Sequence, residues 1–363
     1  MEWIELGELA EIQTGKLNAN AAVENGKYPF FTCADEISYI DEYEYDKECI
    51  LVAGNGNLNV KYYNGKFNAY QRTYIIESKN TDRLNTMYLF YFMNVYMDKL
   101  RDLSIGGVIK YIKLGHLTGA KIPVPPMEIQ KQIVEVLDEA QRLIDNRKKQ
   151  IKLLDDLIES IFYDMFGDPV KNDKRWEVKK LKEESVCIVP ARDKPKSFTG
   201  NIPWITINDL EQNGYTLASK ERLGLTMEEI LEVNRKVVPI GCVLMSCVGN
   251  LGITSINGIE LVINQQIHAF ECSENLNNRY LKHYIPKRID YLDRVANSTT
   301  VKYINKTKCE NIPLLLPPLP LQNEFAEKVQ VIEKQKELLE KSLKLMEDNY
   351  NSLMQRAFKG ELF

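Results

Sequence analysis

The chain has 363 residues with a formal net charge of −4, and 44% of the residues are hydrophobic and 27% charged. This balance is typical of a folded globular protein and excludes a disordered tail or a small disulfide-held domain. No run approaches the roughly 18 apolar residues that span a bilayer, and the N-terminus has no signal-peptide pattern. Seven cysteines without a C-x-x-C pair predict reduced thiols and a cytoplasmic location.

The predicted elements of the first 124 residues are those of a mixed α/β domain. Apolar and β-branched runs predict strands at residues 50–53 and 74–76, and residues 86–100 predict a helix with several aromatic side chains. Pro125 and Pro126 suit the first turn of a helix, because the amide hydrogen that proline lacks has no partner there. No glycine or proline follows until Gly167, which predicts one long helix.

The second half of the chain repeats this order of elements. Residues 204–207, 243–245 and 261–263 predict strands, and residues 278–293 predict a helix. Pro317 and Pro318 then introduce a second long helix. Because the elements show no βαβ rhythm, both globular parts are predicted to be α/β (α+β) with mostly antiparallel strands. Residues 170–320 contain 21 basic and 17 acidic residues, so any nucleic-acid surface would be a local patch.

The two halves are an internal repeat with an offset near 192. The sequence I-P-V-P-P-M-E-I-Q at residues 122–130 recurs as I-P-L-L-L-P-P-L-P-L-Q at 312–322. Upstream, V-I-K-Y-I at 108–112 recurs as T-V-K-Y-I at 300–304. The match weakens further upstream, where Gln71 corresponds to Gln265 or Gln266. The repeat predicts pseudo-two-fold duplication of the whole architecture.

Both long helices show a seven-residue repeat, since positions 133, 140, 147, 154 and 161 correspond to 325, 332, 339, 346 and 353. This predicts a coiled coil, interrupted by Arg147 opposite Leu339. We favour an antiparallel intramolecular pair over helices docked on their own globular parts and over a coiled coil between two chains. The predicted spacer and partner-docking residues are Ile133, Leu143, Leu154, Ile161, Phe325, Ile332, Leu339, Met346 and Leu353.

Signatures of catalysis and cofactor binding are missing. Gly54-Asn55-Gly56 lacks a third glycine and a following helix, so it predicts a tight turn and no cofactor site. The three histidines have no metal-ligand spacing, and Cys242 and Cys247 have no second pair to complete a zinc site. No phosphate-binding loop, G-x-S-x-G motif or Asn-Pro-Pro-aromatic methyltransferase loop is present. The sequence therefore predicts a chain without catalytic, cofactor or metal residues.

Two variable globular parts alternating with two Pro-Pro…Gln helices, and the ending A-F-K-G-E-L at 357–362, closely resemble the specificity subunit of type I restriction–modification systems. The resemblance covers the whole chain, although the first copy ends in the shorter form F-G-D at 166–168. It implies target-recognition domains at residues 1–124 and 169–316. It also implies a central long helix at 125–168 and a C-terminal long helix at 317–363, packed as an antiparallel coiled coil.

The resemblance implies a function for each part. Each head would read one half of a bipartite double-stranded DNA target, and the coiled coil would set the spacing and dock two methyltransferase subunits. Those subunits would bind S-adenosylmethionine and methylate adenine N6. Restriction subunits using ATP and Mg²⁺ would cleave unmodified DNA. A rigid spacer suits two heads that read separate half-sites. Once one head has bound, the tether makes binding of the second half-site effectively intramolecular.

Candidate DNA contacts lie in turns rich in Gly, Asn and basic residues, because such turns approach phosphates closely and Asn, Gln, Arg and Lys read base edges. Residues 104–113 and 297–306 are further candidate segments. The residues are Asn55, Asn57, Asn59, Lys61, Gln71, Arg72, Lys110, Lys113, Asn250, Asn264, Gln265, Gln266, His268, Lys302 and Lys306. Two other functions remain open: a scaffold whose heads bind proteins, and a single-chain methyltransferase or nuclease.

Overall fold

The computed structural model of the chain describes residues 2–191, 193–298 and 301–362. These residues form two compact units, which are Met1–Gln150 with Leu339–Phe363, and Ile151–Leu338. Each unit therefore contains one globular head and parts of both long helices. None of the helices among the described residues is long and apolar enough to cross a membrane.

The first unit is built around an open sheet. Its strands are β1 (Glu2–Glu5), β2 (Ala10–Thr14), β3 (Tyr28–Phe31), β4 (Ser38–Ile40), β5 (Tyr45–Ala53), β6 (Val60–Ala69), β7 (Thr73–Ser78) and β8 (Lys121–Val124). Its helices are α1 (Leu6–Leu9), α2 (Thr86–Leu103), α3 (Leu114–Thr118) and α4 (Met127–Phe166), the last of which continues into the second unit. Six strands pair in the order β2-β7-β5-β6-β3-β4, and β1 pairs with β8.

The second unit carries more and shorter elements. Its strands are β9 (Glu177–Lys180), β10 (Ser185–Ile188), β11 (Ile202–Ile205), β12 (Gly214–Thr216), β13 (Gly224–Leu225), β14 (Val243–Ser246), β15 (Thr254–Asn257), β16 (Val262–Ile263), β17 (Ile267–Cys272), β18 (Asn297–Ser298), β19 (Lys302–Tyr303) and β20 (Pro313–Leu316). Its helices are α5 (Leu181–Glu184), α6 (Met227–Glu232), α7 (Asn278–Tyr284), α8 (Ile289–Val295), α9 (Lys306–Glu310) and α10 (Leu319–Lys359).

The central sheets of the two units have the same core order. In the second unit five strands pair as β10-β17-β14-β15-β12, three pair as β13-β11-β16, and β20 pairs with β9 as β8 pairs with β1. Only β3–β6, β11–β16 and β12–β15 are parallel among the strand pairs of the described residues. The predicted α/β heads with mostly antiparallel strands are therefore confirmed.

One predicted helix is interrupted. Residues 278–293 form α7, a 3-10 turn at Ile285–Arg288 and then α8. Pro286 lies at the start of the turn and lacks the amide hydrogen that a continuous helix needs. The predicted strand at residues 204–207 also ends early, because Ile207–Asp209 forms a 3-10 turn.

The long helices run antiparallel in both units. In the first unit Lys148 Nζ lies 2.9 Å from Glu347 Oε1, and in the second Lys336 Nζ lies 2.6 Å from Asp155 Oδ1. Within the first unit, residues 133–137 of α4 share a core with residues 354–358 of α10, and within the second unit Phe162 of α4 contacts Phe325 of α10. Together with the ion pair of the same unit, each contact shows that residue numbers increase along α4 as those of their partners decrease along α10. The predicted antiparallel coiled coil within one chain is confirmed.

The heptad positions are buried to different degrees. Ile133, Phe325 and Ile332 are buried in the cores, whereas Leu154, Ile161, Leu339, Met346 and Leu353 are half-buried. A side chain that packs only against the other long helix stays partly exposed, whereas one that also packs against a head is covered on more sides. This decrease in burial away from the heads is therefore expected. Leu143 is 44% exposed, because the neighbouring Ile144 takes the buried position. The sequence pattern alone did not separate these two adjacent residues.

Candidate nucleic-acid interface

In the first head, a turn after β5 is held against the loop that leads to α3. The turn comprises residues 54–57 and the loop residues 104–113, and we call the pair the first junction. The Ile112 amide donates to the Gly54 carbonyl at 2.9 Å, and the Gly56 amide donates to the Lys110 carbonyl at 2.9 Å. Asn55 forms a β-bridge with Tyr111. Main-chain bonds thus fix the position of two predicted DNA-contacting segments.

The second head builds the same arrangement, the second junction, from residues 247–250 and 297–306. The Ile304 amide donates to the Cys247 carbonyl at 3.0 Å, and the Gly249 amide donates to the Lys302 carbonyl at 2.9 Å. Val248 forms a β-bridge with Tyr303. Within the predicted segment, Thr299 and Thr300 lie outside the described residues. The internal repeat therefore extends to hydrogen bonds between the repeated K-Y-I segment and a turn in the part of the sequence where the match is weaker.

Both junctions contain a glycine in the left-handed region at the same place. Gly56 has φ 70° and Gly249 has φ 74°, and a Cβ atom added to either glycine would meet no other atom within 4 Å. The conformation favours glycine, and the open space around it leaves the main chain accessible. Such a turn can approach a phosphate or a base edge closely.

A groove of about 300 Å³ opens beside the first junction. It brings together Gln71, Arg72 and Lys113, which sequence reasoning proposed separately. The Gln71 amide nitrogen donates to Asn18 Oδ1 at 2.9 Å, and Arg72 is exposed. The other residues along the groove are Thr14, Gly54, Tyr74, Tyr111, Ile112 and Leu114. Two cations and an amide therefore line one exposed depression.

Three other candidates of the first head have internal partners. Asn57 Nδ2 donates to Asp35 Oδ2 at 3.0 Å, and Asn59 Nδ2 donates to the Cys33 carbonyl at 3.0 Å. Lys61 Nζ donates to the Ala34 carbonyl at 2.7 Å and to Asn59 Oδ1 at 2.5 Å, and burial lowers the pKa of this ammonium. These side chains hold the turn at residues 33–35. Lys110, by contrast, is exposed.

In the second head the basic candidates are paired with carboxylates at the surface. Lys302 Nζ lies 2.7 Å from Asp293 Oδ1, and both side chains are about half exposed. Lys306 Nζ lies 3.6 Å from Glu310 Oε1. Exposed pairs of this kind contribute little energy, so a phosphate could replace the carboxylate. Asn250 is exposed at the second junction.

The structure also fixes the register that the sequence left open. The Gly54 amide donates to the Arg72 carbonyl at 2.8 Å, and the Cys247 amide donates to the Gln266 carbonyl at 2.7 Å. Gln266 therefore corresponds to Arg72, and Gln265 to Gln71. Asn264 Nδ2 donates to Gln266 Oε1 at 3.0 Å, which orients the Gln266 amide.

His268 does not fit the predicted DNA-contacting role. It is only 5% exposed, and its Nδ1 lies 3.2 Å from Cys309 Sγ. Cys247 Sγ lies 3.9 Å from the same sulfur. These three residues form a buried group whose ligand atoms all lie within 4.8 Å of one another. The sequence did not reveal this group, because its members are far apart along the chain and lack a familiar spacing; the expectation of no metal ligand stays a prediction.

The same contacts set the ionisation of the group. The hydrogen bond from Cys247, followed by that from His268, lowers the pKa of the Cys309 thiol to about 6 despite burial. Burial raises the pKa of Cys247 well above its ordinary value. Of the two thiols, Cys309 is therefore the one that ionises more readily. Two cysteine sulfurs and an imidazole close together form a soft donor set suited to a metal ion.

Sequence reasoning missed one matched pair of aromatic residues. Tyr111 and Tyr303 occupy the same position of the two junctions and are 37% and 44% exposed. Each follows a candidate lysine, Lys110 or Lys302. An exposed tyrosine ring offers a stacking face and a hydroxyl. The repeated K-Y-I sequence was the signal that could have identified them.

The sequence family described as the type I restriction modification DNA specificity domain matches residues 1–155 and again residues 173–347. The chain is 26% identical to the specificity subunit of the EcoDI type I restriction enzyme of Escherichia coli, covering 100% of this chain and 89% of that protein. It is 25% identical to a putative specificity subunit, MjaX, of Methanocaldococcus jannaschii, over 78% of this chain and 69% of that protein.

Solved structures show the same fold. The S subunit of a type I restriction–modification system from M. genitalium superimposes with a TM-score of 0.57 at 15% identity, covering 99% of this chain and 96% of that one. A chain from work on complex assembly and conformational transition of the type I system gives 0.55 at 15% identity, covering 99% and 98%.

Proposed function

The chain belongs to the type I restriction modification DNA specificity domain family, and from this premise we propose that each head reads one half of a bipartite DNA target. The observation that carries this proposal is the pair of matched junctions. Each presents an accessible left-handed glycine, an exposed lysine and an exposed tyrosine on main-chain bonds that hold the two segments together. Two equivalent surfaces in one chain suit a target with two separate parts.

Within the first head, the groove beside the junction is the proposed reading surface. Arg72 and Lys113 supply positive charge for phosphate oxygens, and the Gln71 amide can pair with a base edge. In the second head the corresponding positions are Gln265 and Gln266. Arg72 in the first head thus corresponds to Gln266 in the second. A guanidinium and an amide would read different bases, which agrees with a target whose two parts differ.

The coiled coil is the proposed spacer and docking element. Continuous helices fix geometry better than loops, and antiparallel packing presents similar surfaces twice. We propose that two methyltransferase subunits dock there, bind S-adenosylmethionine and methylate adenine N6, and that restriction subunits use ATP and Mg²⁺. The chain itself contributes recognition without catalysis, and the complex acts in the cytoplasm.

The test is genome-wide mapping of N6-methyladenine in an unmethylated host that expresses this chain with its methyltransferase subunit. The expected result is a split motif with a fixed spacer that disappears when this chain is omitted. An assembled complex that neither methylates nor binds duplex DNA would contradict the proposal and favour a protein-binding scaffold.

A variant in one head makes the test specific. Arg72→Ala should relax or weaken only one half of the methylated motif, because the other head is unchanged. Lys79→Ala is the matched control. Arg72 directly precedes β7, whereas Lys79 directly follows it at the other end of the strand. Equal loss of both halves with Arg72→Ala would contradict independent reading by the heads.

A further inference from the structure

The second head contains a cluster of soft ligands that the proposed function does not use. Cys247 follows β14, His268 lies on the neighbouring strand β17, and Cys309 lies on α9. All three side chains are buried, with exposed fractions of 1%, 5% and 0%. The tertiary fold therefore places two thiols and an imidazole in one buried site.

The separation of the two sulfurs matches one edge of a tetrahedral metal site, and the sulfur–nitrogen contact is somewhat shorter than a second edge. A zinc ion bound at about 2.3 Å from sulfur and about 2.0 Å from nitrogen places two sulfurs about 3.8 Å apart and sulfur about 3.6 Å from nitrogen. The two sulfurs here lie 3.9 Å apart, and His268 Nδ1 lies 3.2 Å from Cys309 Sγ. The sulfur separation is also well beyond the roughly 2.0 Å of a disulfide bond.

A fourth donor faces the same side of the sheet. Cys187 on β10 pairs directly with Phe270 on β17, two residues from His268. Side chains two residues apart, and those directly opposite in an antiparallel pair, share a face. Cys187 is 6% exposed and belongs to the same hydrophobic core as Cys247 and Cys309. Its sulfur lies outside the group of ligand atoms that are within 4.8 Å of one another, so Cys187 would have to move inward to complete a set of three cysteines and one histidine.

The first head shows that the fold does not require these residues. Its strand register and main-chain bonds place Gly54 where the second head has Cys247, and Tyr74 where it has His268. Leu117 corresponds to Cys309, because the two carbonyls accept equivalent bonds. The Ala120 amide donates to the Leu117 carbonyl, and the Ile312 amide donates to the Cys309 carbonyl, each at 3.1 Å. None of the three residues in the first head is a metal ligand of this type. The soft donors are therefore a feature of the second head alone.

We propose that the second head binds a structural zinc ion through Cys247, His268 and Cys309, with Cys187 as the fourth ligand. The ion joins β14 and β17 to α9. Because the Cys247 carbonyl also accepts the Ile304 amide, the ion fixes the base of the second junction. The inference concerns stability of this head and stands independently of what the head reads.

The primary test is the metal content of the full chain, purified under reducing conditions without chelator from zinc-supplemented cells. About one zinc per chain is expected by elemental mass spectrometry. Cobalt substitution should give thiolate-to-metal charge-transfer absorption and the visible bands of tetrahedral Co²⁺. A wild-type chain with no bound zinc, or with Cys247 and Cys309 joined as a disulfide, would overturn the proposal.

Variants locate the ion. Cys309→Ser and His268→Ala should lose at least tenfold in zinc affinity, whereas Cys272→Ser should retain it, because Cys272 lies at the other end of β17. Cys187→Ser should also weaken binding, and an unchanged affinity would remove Cys187 from the ligand set. If the variants do not fold, chelation of the wild-type chain should lower its melting temperature and added zinc should restore it. No change on chelation of a zinc-containing chain would overturn a structural role at this site.

Discussion

At the scale of single residues, two buried glutamines explain the most recognisable motif of the sequence. Gln130 and Gln322 are both fully buried. The Gln322 amide nitrogen donates to the Asn275 and Pro317 carbonyls at 3.1 and 2.8 Å, and its oxygen accepts the Asn277 amide at 2.8 Å. Gln130 bonds in the same pattern in the first head. The glutamine of the Pro-Pro…Gln motif thus joins each long helix to the loop before a head helix.

Replacing Gln322 with leucine should destabilise the second unit by about 2 kcal/mol, because the buried Pro317 carbonyl loses its partner and the partly buried Asn277 amide and Asn275 carbonyl lose theirs. Urea unfolding of the full chain measures this effect. Gln355→Leu is the control, since Gln355 is exposed on the same helix. Equal changes in the two variants would contradict the importance of the buried bonds.

Glu229 makes stability depend on pH. Its carboxylate accepts the Ser197 hydroxyl at 2.5 Å and the Thr226 amide at 2.9 Å, and these bonds lower the pKa of Glu229 to about 2. A lowered pKa contributes stability above the unfolded value of about 4.3, and this contribution is lost as the pH falls towards the folded pKa.

The free energy of unfolding of the wild type should therefore decrease more steeply than that of Glu229→Gln between about pH 5 and about pH 3. Denaturant unfolding at several pH values provides the measurement. Glu232→Gln, on the exposed side of the same helix, should follow the wild type. Parallel curves for wild type and Glu229→Gln would contradict the assignment.

At the scale of elements, each long helix ends on a buried phenylalanine. Phe358 near the end of α10 contacts Tyr88 and Phe92 in the first unit, with ring centroids 5.1 and 5.7 Å apart. Phe166 at the end of α4 contacts Tyr280 in the second unit at 4.7 Å. Gly167 and Gly360 follow with φ 75°, which suits a helix C-terminus. The terminal A-F-x-G motif is therefore a packing device.

Phe358→Ala should destabilise the first unit by about 3–5 kcal/mol, because it removes a large side chain from a closed core. Thermal and urea unfolding of the full chain provide the measurement. Leu345→Ala on the same helix should change stability little, since Leu345 is 65% exposed. Similar losses in the two variants would argue against docking of the helix end.

At the scale of the whole molecule, the two junctions should contribute to DNA binding together. Lys110 and Lys302 occupy matching positions and carry exposed ammonium groups. If each binds one phosphate, Lys110→Gln or Lys302→Gln should reduce the slope of log affinity against log salt by about 0.9, and the double variant by about twice that.

The affinity should be measured with the chain assembled with its methyltransferase subunits, so that both heads are held in one complex. Lys79→Gln, which removes a positive charge beyond the far end of β7, should leave the slope unchanged. A double variant with the wild-type slope would remove both lysines from the phosphate-binding surface.

The sequence by itself determined the duplication, the mixed α/β heads, the two long helices and the family. These features are carried by local composition, by a seven-residue period and by repeated motifs, all of which survive in the order of residues. The same patterns favoured antiparallel helices and predicted five strands, which correspond to β5, β7, β11, β14 and β16 among the twenty strands of the described residues. The division into segments at residues 124, 168 and 316 stays a prediction, as does DNA contact by the individual residues.

Only the tertiary structure decided which distant residues meet. It joined Gln71 and Arg72 to Lys113 in one groove, buried Ile144 in preference to Leu143, and turned His268 towards Cys247 and Cys309. Strand register and the path of the chain set such contacts, and neither leaves a periodic signal in the sequence. The physical reason is that a one-residue change in strand register reverses which side chain faces the core, and one residue along a helix turns the side chain by about 100°.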